Sequence, residues 1–181
     1  MDKWEPLIEG CKRNDRVSQE VLYKRLYPAL FTLCKKFYAD EHEAQTALNS
    51  GMLKVYKNIH QYEAEKGSFF NWVYSIVRNT AITLLKQRKQ NLFVGLEENH
   101  IDLMDSELLD SNDWDELFLR LGKLPEVTRV VCSLFYLEEY SIKEIVEKLE
   151  MKEGTVKWHL NQSRVRLRQL FSKDKPNQHG R

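Results

Sequence analysis

The sequence predicts an all-α protein made of two small helical domains joined by an acidic linker. Three observations carry that expectation. The 181 residues include only 7 Gly and 4 Pro, too few breakers for many short strands and turns, and long stretches are rich in helix-favouring Leu, Lys, Glu and Arg. Apolar residues recur three and four apart over most of the chain, the spacing of one helix face. That periodicity fades over residues 91–113, where acidic residues gather, so the pattern falls into two blocks. Hydrophobic residues at 42% and charged residues at 30% fit globular domains and argue against wholesale disorder.

In the first block, Trp4, Leu7, Ile8 and Cys11 stand at helical spacing. Leu22, Leu26, Leu30, Leu33 and Phe37 form a second core stripe, which Pro28 is expected to break in two because proline lacks the N–H for the helical ladder. A third face gathers Ala44, Leu48, Met52, Val55 and Ile59, and a polar loop follows from His60 to Gly67. Ser68 suits a helix cap, and Phe69, Val73, Ile76, Thr80 and Leu84 make the apolar face of a helix reaching about Lys89. These elements define a first domain over 1–90.

The linker, 91–113, holds Glu97, Glu98, Asp102, Asp105, Glu107, Asp110 and Asp113 without one Lys or Arg. Its Ile101, Leu103, Leu108 and Leu109 could support a short helix or dock on a partner. Periodicity returns with Trp114, Leu117, Phe118 and Leu121. Pro125 suits a first helical position ahead of Val127, Val130, Val131 and Leu134. The second domain spans 114–175, and 176–181 form a tail.

Charge is distributed unevenly although the net is only +1. Residues 1–90 carry 15 Lys and Arg against 10 Asp and Glu, residues 91–140 carry 3 against 12, and residues 141–181 carry 10 against 5. Two basic ends suggest polyanionic partners. No apolar stretch approaches the roughly 20 residues that span a bilayer, and the N-terminus shows no secretory pattern, so neither membrane insertion nor export is expected and the site of action is cytoplasmic. Cys11, Cys34 and Cys132 sit apart among apolar neighbours and read as buried free thiols. His42, His60, His100, His159 and His179 are scattered, and neither a phosphate-cradling loop nor a nucleophile elbow is present. No catalytic residue, metal site or cofactor is expected.

The strongest local pattern runs from Ser141 to Leu160. Ser141 and Glu144 have capping-box spacing; Ile142, Ile145, Val146 and Leu149 share a face; Glu150 to Gly154 make a short turn; and a new amphipathic helix begins at Thr155. This is a helix-turn-helix. In its second helix Val156, Leu160, Ser163, Leu167 and Leu170 face inward, beside a stripe of Lys157, Asn161, Arg164 and Arg168. A major groove accepts such a helix, its first turns reaching base edges and later cations holding phosphates. Lys157 and Asn161 are therefore candidates for base contact, Arg164 and Arg168 for phosphate contact. Trp158 lies next to the stripe, where its indole must find the core or a partner surface, and Thr155 lies at the helix start.

Two ordered blocks together resemble the extracytoplasmic-function group of sigma-70-type RNA polymerase sigma factors. The C-terminal block comprises Leu124-Pro125-Glu126, Tyr140 to Ile145, Gly154 to Lys157, Ser163-Arg164 and Leu167-Arg168; the N-terminal one comprises Leu53 to Tyr62, Lys66 to Phe69 and Trp72 to Ile82. The resemblance implies a region 2 helical bundle that recognises the melted minus-ten element and clamps the polymerase β′ subunit. It also implies a region 4 helix-turn-helix that reads the minus-thirty-five element and touches the β flap. It implies core RNA polymerase and promoter DNA as partners, and leaves room for an anti-sigma factor. By this resemblance the minus-ten residues are Tyr62, Ser68, Trp72, Arg78, Asn79 and Lys86, aromatic and cationic groups of the kind that hold unstacked bases. Recognition-helix contacts fall to Thr155, Lys157, Trp158, Asn161, Arg164 and Arg168, and core-polymerase contacts to Leu48, Asn49, Met52 and Tyr56. Thr46 and Ser50 stand where the family carries acidic residues, and Trp158, His159 and Gln162 where it carries small or basic ones. The alternative is a helix-turn-helix regulator that binds duplex DNA without polymerase.

Overall fold

The computed structural model describes residues 4–88 and 114–173, with side chains to residue 170. The linker at 91–113, Lys89 and the tail at 176–181 lie outside the described residues. Every regular element among the described residues is helical, and the chain divides into two compact units, Met1–Gln87 and Arg88–Arg181.

The first unit is built from α1 (Glu5–Lys12), α2 (Arg16–Lys35), α3 (Glu41–Asn58) and α4 (Phe69–Arg88), with 3₁₀ turns at Ile59–Gln61 and Ala64–Lys66 between α3 and α4. Asp15 caps α2 by accepting from the Ser18 amide at 2.9 Å, and Asp40 caps α3 from Glu43, each satisfying an amide the helix itself cannot. The expected stripes meet as a core: Leu22, Leu26, Leu30, Leu33 and Phe37 pack with Ala44, Leu48, Met52, Val55 and Ile59, all buried.

Pro28 does not break α2, contrary to expectation; the helix runs through it. Proline removes the amide that would serve the Lys24 carbonyl. Both residues are on the exposed side, where water can take that place, while Leu26 and Leu30 hold the buried side together. α4 is also rotated relative to its expected face. Val77, Ala81 and Leu85 are buried, whereas Ile76 and Leu84 are only half-buried. The cause is the crossing with α3 at Gly51, where a Cβ would stand 2.9 Å from Val77 Cα. Only glycine admits that approach. The Tyr38 hydroxyl adds a buried tie, donating to the Ala81 carbonyl at 2.8 Å.

The second unit contains α5 (Trp114–Gly122), α6 (Glu126–Tyr136), α7 (Ile142–Leu149) and α8 (Glu153–Lys173). Pro125 is the N-cap of α6, one place before the expected first helical position, with ψ 143. α6 is the central element: Val127 to Leu134 are all buried. The capping box on α7 is formed as expected, with the Glu144 amide donating to Ser141 Oγ at 3.3 Å and the Ser141 amide donating to the Glu144 carboxylate at 2.8 Å. Glu150 then takes a left-handed conformation, φ 55, and turns the chain into α8. Trp114, expected in the core stripe, is 57% exposed and stacks on Phe118. Among the described residues, no helix is long and apolar enough to cross a membrane.

Candidate nucleic-acid interface

In the first unit the loop entering α4 is shaped by Gly67, whose φ of 142 is reserved for glycine. The Tyr62 hydroxyl donates to the Gly67 carbonyl at 3.1 Å, tying the loop's two ends, and Ser68 Oγ caps α4 at the Asn71 amide. Phe69 is fully buried and serves as the hub of an aromatic cluster. Tyr62 meets it edge-on at 5.1 Å, Trp72 stacks on it at 5.9 Å and Trp4 approaches at 5.8 Å. The Tyr62 and Trp72 rings lie 5.6 Å apart and wall a cleft of about 300 Å³. The expected residues Tyr62, Ser68 and Trp72 thus share one site. Around them stand Gln61, Glu63, Lys66, Asn71 and Ser75, which sequence reasoning did not select, although Asn71 and Ser75 flank Trp72 closely in the chain. Aromatic rings with amide and hydroxyl groups at the rim suit an unstacked base, and the one ammonium there, that of Lys66, is paired with the Glu63 carboxylate at 2.9 Å.

Asn79 is exposed and Lys86 half-exposed, following Trp72 along α4 in seven-residue steps. Arg78 leaves this line: it is half-buried, with its guanidinium 5.8 Å from the Tyr74 ring centroid.

In the second unit the outward face of α8 presents Lys157, Trp158, Asn161 and Gln162, all partly exposed, and beyond them Arg168, which is exposed. Lys157 Nζ lies 2.6 Å from the carboxylate of Glu153, and that ammonium lowers the Glu153 pKa. Arg164, expected on the outward stripe, lies inside. It is 6% exposed and its Nε donates to the Leu160 carbonyl at 3.4 Å, so in this conformation it does not reach a phosphate. Thr155 is buried as well. The physical reason is that α8 packs against α5, α6 and α7 together. Its buried arc therefore extends to Thr155, His159 and Arg164 besides Val156, Leu160, Ser163 and Leu167.

His159 is held by Thr128 of α6, whose Oγ1 lies 2.9 Å from Nδ1. Burial pushes its pKa down to about 4, so the imidazole is neutral. The three cysteines are buried and unbridged, as expected, and burial raises their thiols to about 11 for Cys11 and Cys132 and about 12 for Cys34, which makes them poor nucleophiles.

The expected polymerase-contact residues of α3 do not share one surface. Leu48 and Met52 are core residues, 0% and 2% exposed, because they belong to the stripe that meets α2. Tyr56 is half-buried, its hydroxyl donating to the Gln19 carbonyl at 2.9 Å. Asn49 is exposed and accepts from the Tyr23 hydroxyl at 2.7 Å and from Gln45 Nε2 at 3.1 Å. The exposed face around it includes Thr46 and Leu53. Leu53 is 54% exposed, an apolar residue off the helix's core register.

Comparisons with known proteins agree with this layout. The family model described as sigma-70 region 2 matches residues 22–91, and that described as sigma-70, region 4 matches residues 114–167. The chain is 26% identical over 174 residues to the ECF RNA polymerase sigma factor SigW of Bacillus subtilis (strain 168), covering 89% of this chain and 92% of that protein. It is 23% identical over 171 residues to the ECF RNA polymerase sigma-E factor of Haemophilus influenzae, covering 87% and 89%. Among solved structures it is similar to the sigma factor RpoE in complex with the anti-sigma factor NepR from Bartonella quintana, at 19% identity, covering 86% of this chain and 98% of that one, with a TM-score of 0.48. With both regions matched in order, each on its own helical unit, the chain belongs to the extracytoplasmic-function group of sigma-70-type RNA polymerase sigma factors.

Proposed function

We propose that this protein joins core RNA polymerase in the cytoplasm and directs it to promoters, contributing recognition and strand opening and no catalysis of its own. The observation that carries the reading is the cleft beside the contacting Tyr62 and Trp72 rings. A cleft with two aromatic rings in its lining offers a face on which a base that has left the helical stack can rest, and suits a base pair within the stack less well. Asn79 and Lys86, further along α4, would follow the single-stranded backbone. In the second unit α8 would enter the major groove of the minus-thirty-five element, with Asn161 and Lys157 at base edges and Arg168 on phosphate. The exposed α3 face of Thr46, Asn49 and Leu53 would meet the β′ clamp, and the second unit the β flap. The presence of both regions disfavours a helix-turn-helix regulator acting without polymerase.

Footprinting of the holoenzyme on a promoter tests this. Protection is expected at two duplex segments about two helical turns apart, with permanganate-reactive thymines only at the downstream one. Replacing Trp72 by Ala should remove the reactivity while leaving the upstream protection in place. Equal loss of both would contradict the assignment of the cleft to melted DNA.

A further inference from the structure

The opening turns of α8 leave a short list of side chains to meet a duplex. Lys157 and Glu153 hold one another at 2.6 Å. Thr155 and His159 are buried, and the His159 ring is pinned to α6 by Thr128. Outward stand Lys157, paired with Glu153, and Trp158, with Asn161 and Gln162 one turn on, all four partly exposed, and of these Trp158 alone is aromatic.

Trp158 is braced. Its indole meets the His159 ring edge-to-face, with centroids 4.9 Å apart and an interplanar angle of 82°. Because Thr128 fixes the imidazole, the indole is backed by a ring that is itself anchored, and little side-chain freedom is left to lose on binding. An indole has one N–H and is otherwise apolar. Among the groups that base pairs offer in the major groove, the thymine C5 methyl is the one projecting apolar group, where cytosine has only a C5–H. Covering an amino or carbonyl edge with the indole would strip its water and return no hydrogen bond, a cost without compensation. Covering the methyl releases water from both apolar surfaces.

We infer that Trp158 selects thymine, through its C5 methyl, in the duplex element that α8 reads. This rests on the reading of α8 as the recognition helix. The neighbouring Asn161, able to pair with adenine N6 and N7, makes an A·T-containing step the expected target.

Deoxyuridine supplies the test, since it differs from thymine only in lacking that methyl. A promoter selected by the holoenzyme from a random library would be resynthesised with each thymine of the minus-thirty-five element, on either strand, replaced singly by deoxyuridine. At one position, or two adjacent ones, wild-type holoenzyme should associate about fourfold less well, the factor that one lost buried methyl-sized group gives. Holoenzyme carrying Trp158→Ala should treat the two bases alike there, and Trp158→Phe should keep part of the discrimination. Equal association with both bases at every position overturns the inference, as does a selected element without thymine or a penalty that persists in Trp158→Ala. The wild-type comparison stands whether or not either variant folds. If the holoenzyme forms no specific complex with any library member, the recognition-helix reading falls first and this inference with it; specific complexes indifferent to the methyl would sink the inference alone.

Discussion

Arg164 and Arg168 sit one turn apart on α8 and look equivalent in sequence, yet their surroundings separate them. Arg164 is buried against the Leu160 carbonyl, whereas Arg168 is exposed. Truncating a buried arginine removes packing as well as charge, so Arg164→Ala should lower the unfolding midpoint by the equivalent of about 2–4 kcal/mol. Arg168→Ala should leave stability within about 0.5 kcal/mol and reduce the salt dependence of promoter binding by about one phosphate contact. Denaturant melts and a salt titration of holoenzyme binding distinguish the two; equal effects of the pair on both would contradict the assignment. His159 makes a second residue-scale prediction. Its pKa is depressed to about 4 by burial, against about 6.5 in an unfolded chain, so the unfolded state takes up the proton first as pH falls. The stabilising contribution is complete above about pH 6.5 and is lost progressively down to about pH 4, amounting to about 2 kcal/mol by pH 5. Urea melts at pH 7.5 and 5 should show that loss in the second unit, and His159→Gln should flatten it. An unchanged pH dependence in the variant would assign the effect elsewhere.

At the scale of elements, the crossing of α3 and α4 depends on Gly51. A Cβ there would meet the Val77 backbone at 2.9 Å, and backbone cannot step aside as a flexible side chain can. Gly51→Ala should therefore cost about 1–3 kcal/mol, even though alanine is the better helix former. A denaturation midpoint equal to or above wild type would show that the two helices can separate without penalty. Local devices were the legible ones: the Ser141–Glu144 box, the Ser68 cap and the apolar stripes of α2 and α3 follow from spacings of three and four within one helix. What escaped was set by partners distant in the chain. Nothing near Pro28 says that α2 will be carried through by packing, and nothing within α4 says that Gly51 will rotate its buried face toward Val77. Likewise, α8 alone shows a stripe of four polar residues; only its three packing partners reveal that Arg164 lies inside. The site was legible to a similar depth. Tyr62 and Trp72 could be chosen by chemistry, but the cleft exists because Phe69 gathers their rings, and that gathering is a property of the folded loop.

At the scale of the whole molecule, each unit is proposed to carry one nucleic-acid surface, an aromatic cleft in the first and a groove-reading helix in the second. The sequence carries a strongly acidic segment between them, and the modest net charge of +1 conceals two cationic ends. Such a chain has limited electrostatic affinity for DNA as a whole, so its specificity is expected to emerge once the polymerase holds both units. Transcription initiation by purified core polymerase on a promoter library, with and without this protein, measures that directly. Discrete start sites are expected that appear only when the protein is present and weaken with either Trp72→Ala or Asn161→Ala. Transcripts beginning at the same scattered positions with and without it would contradict the account.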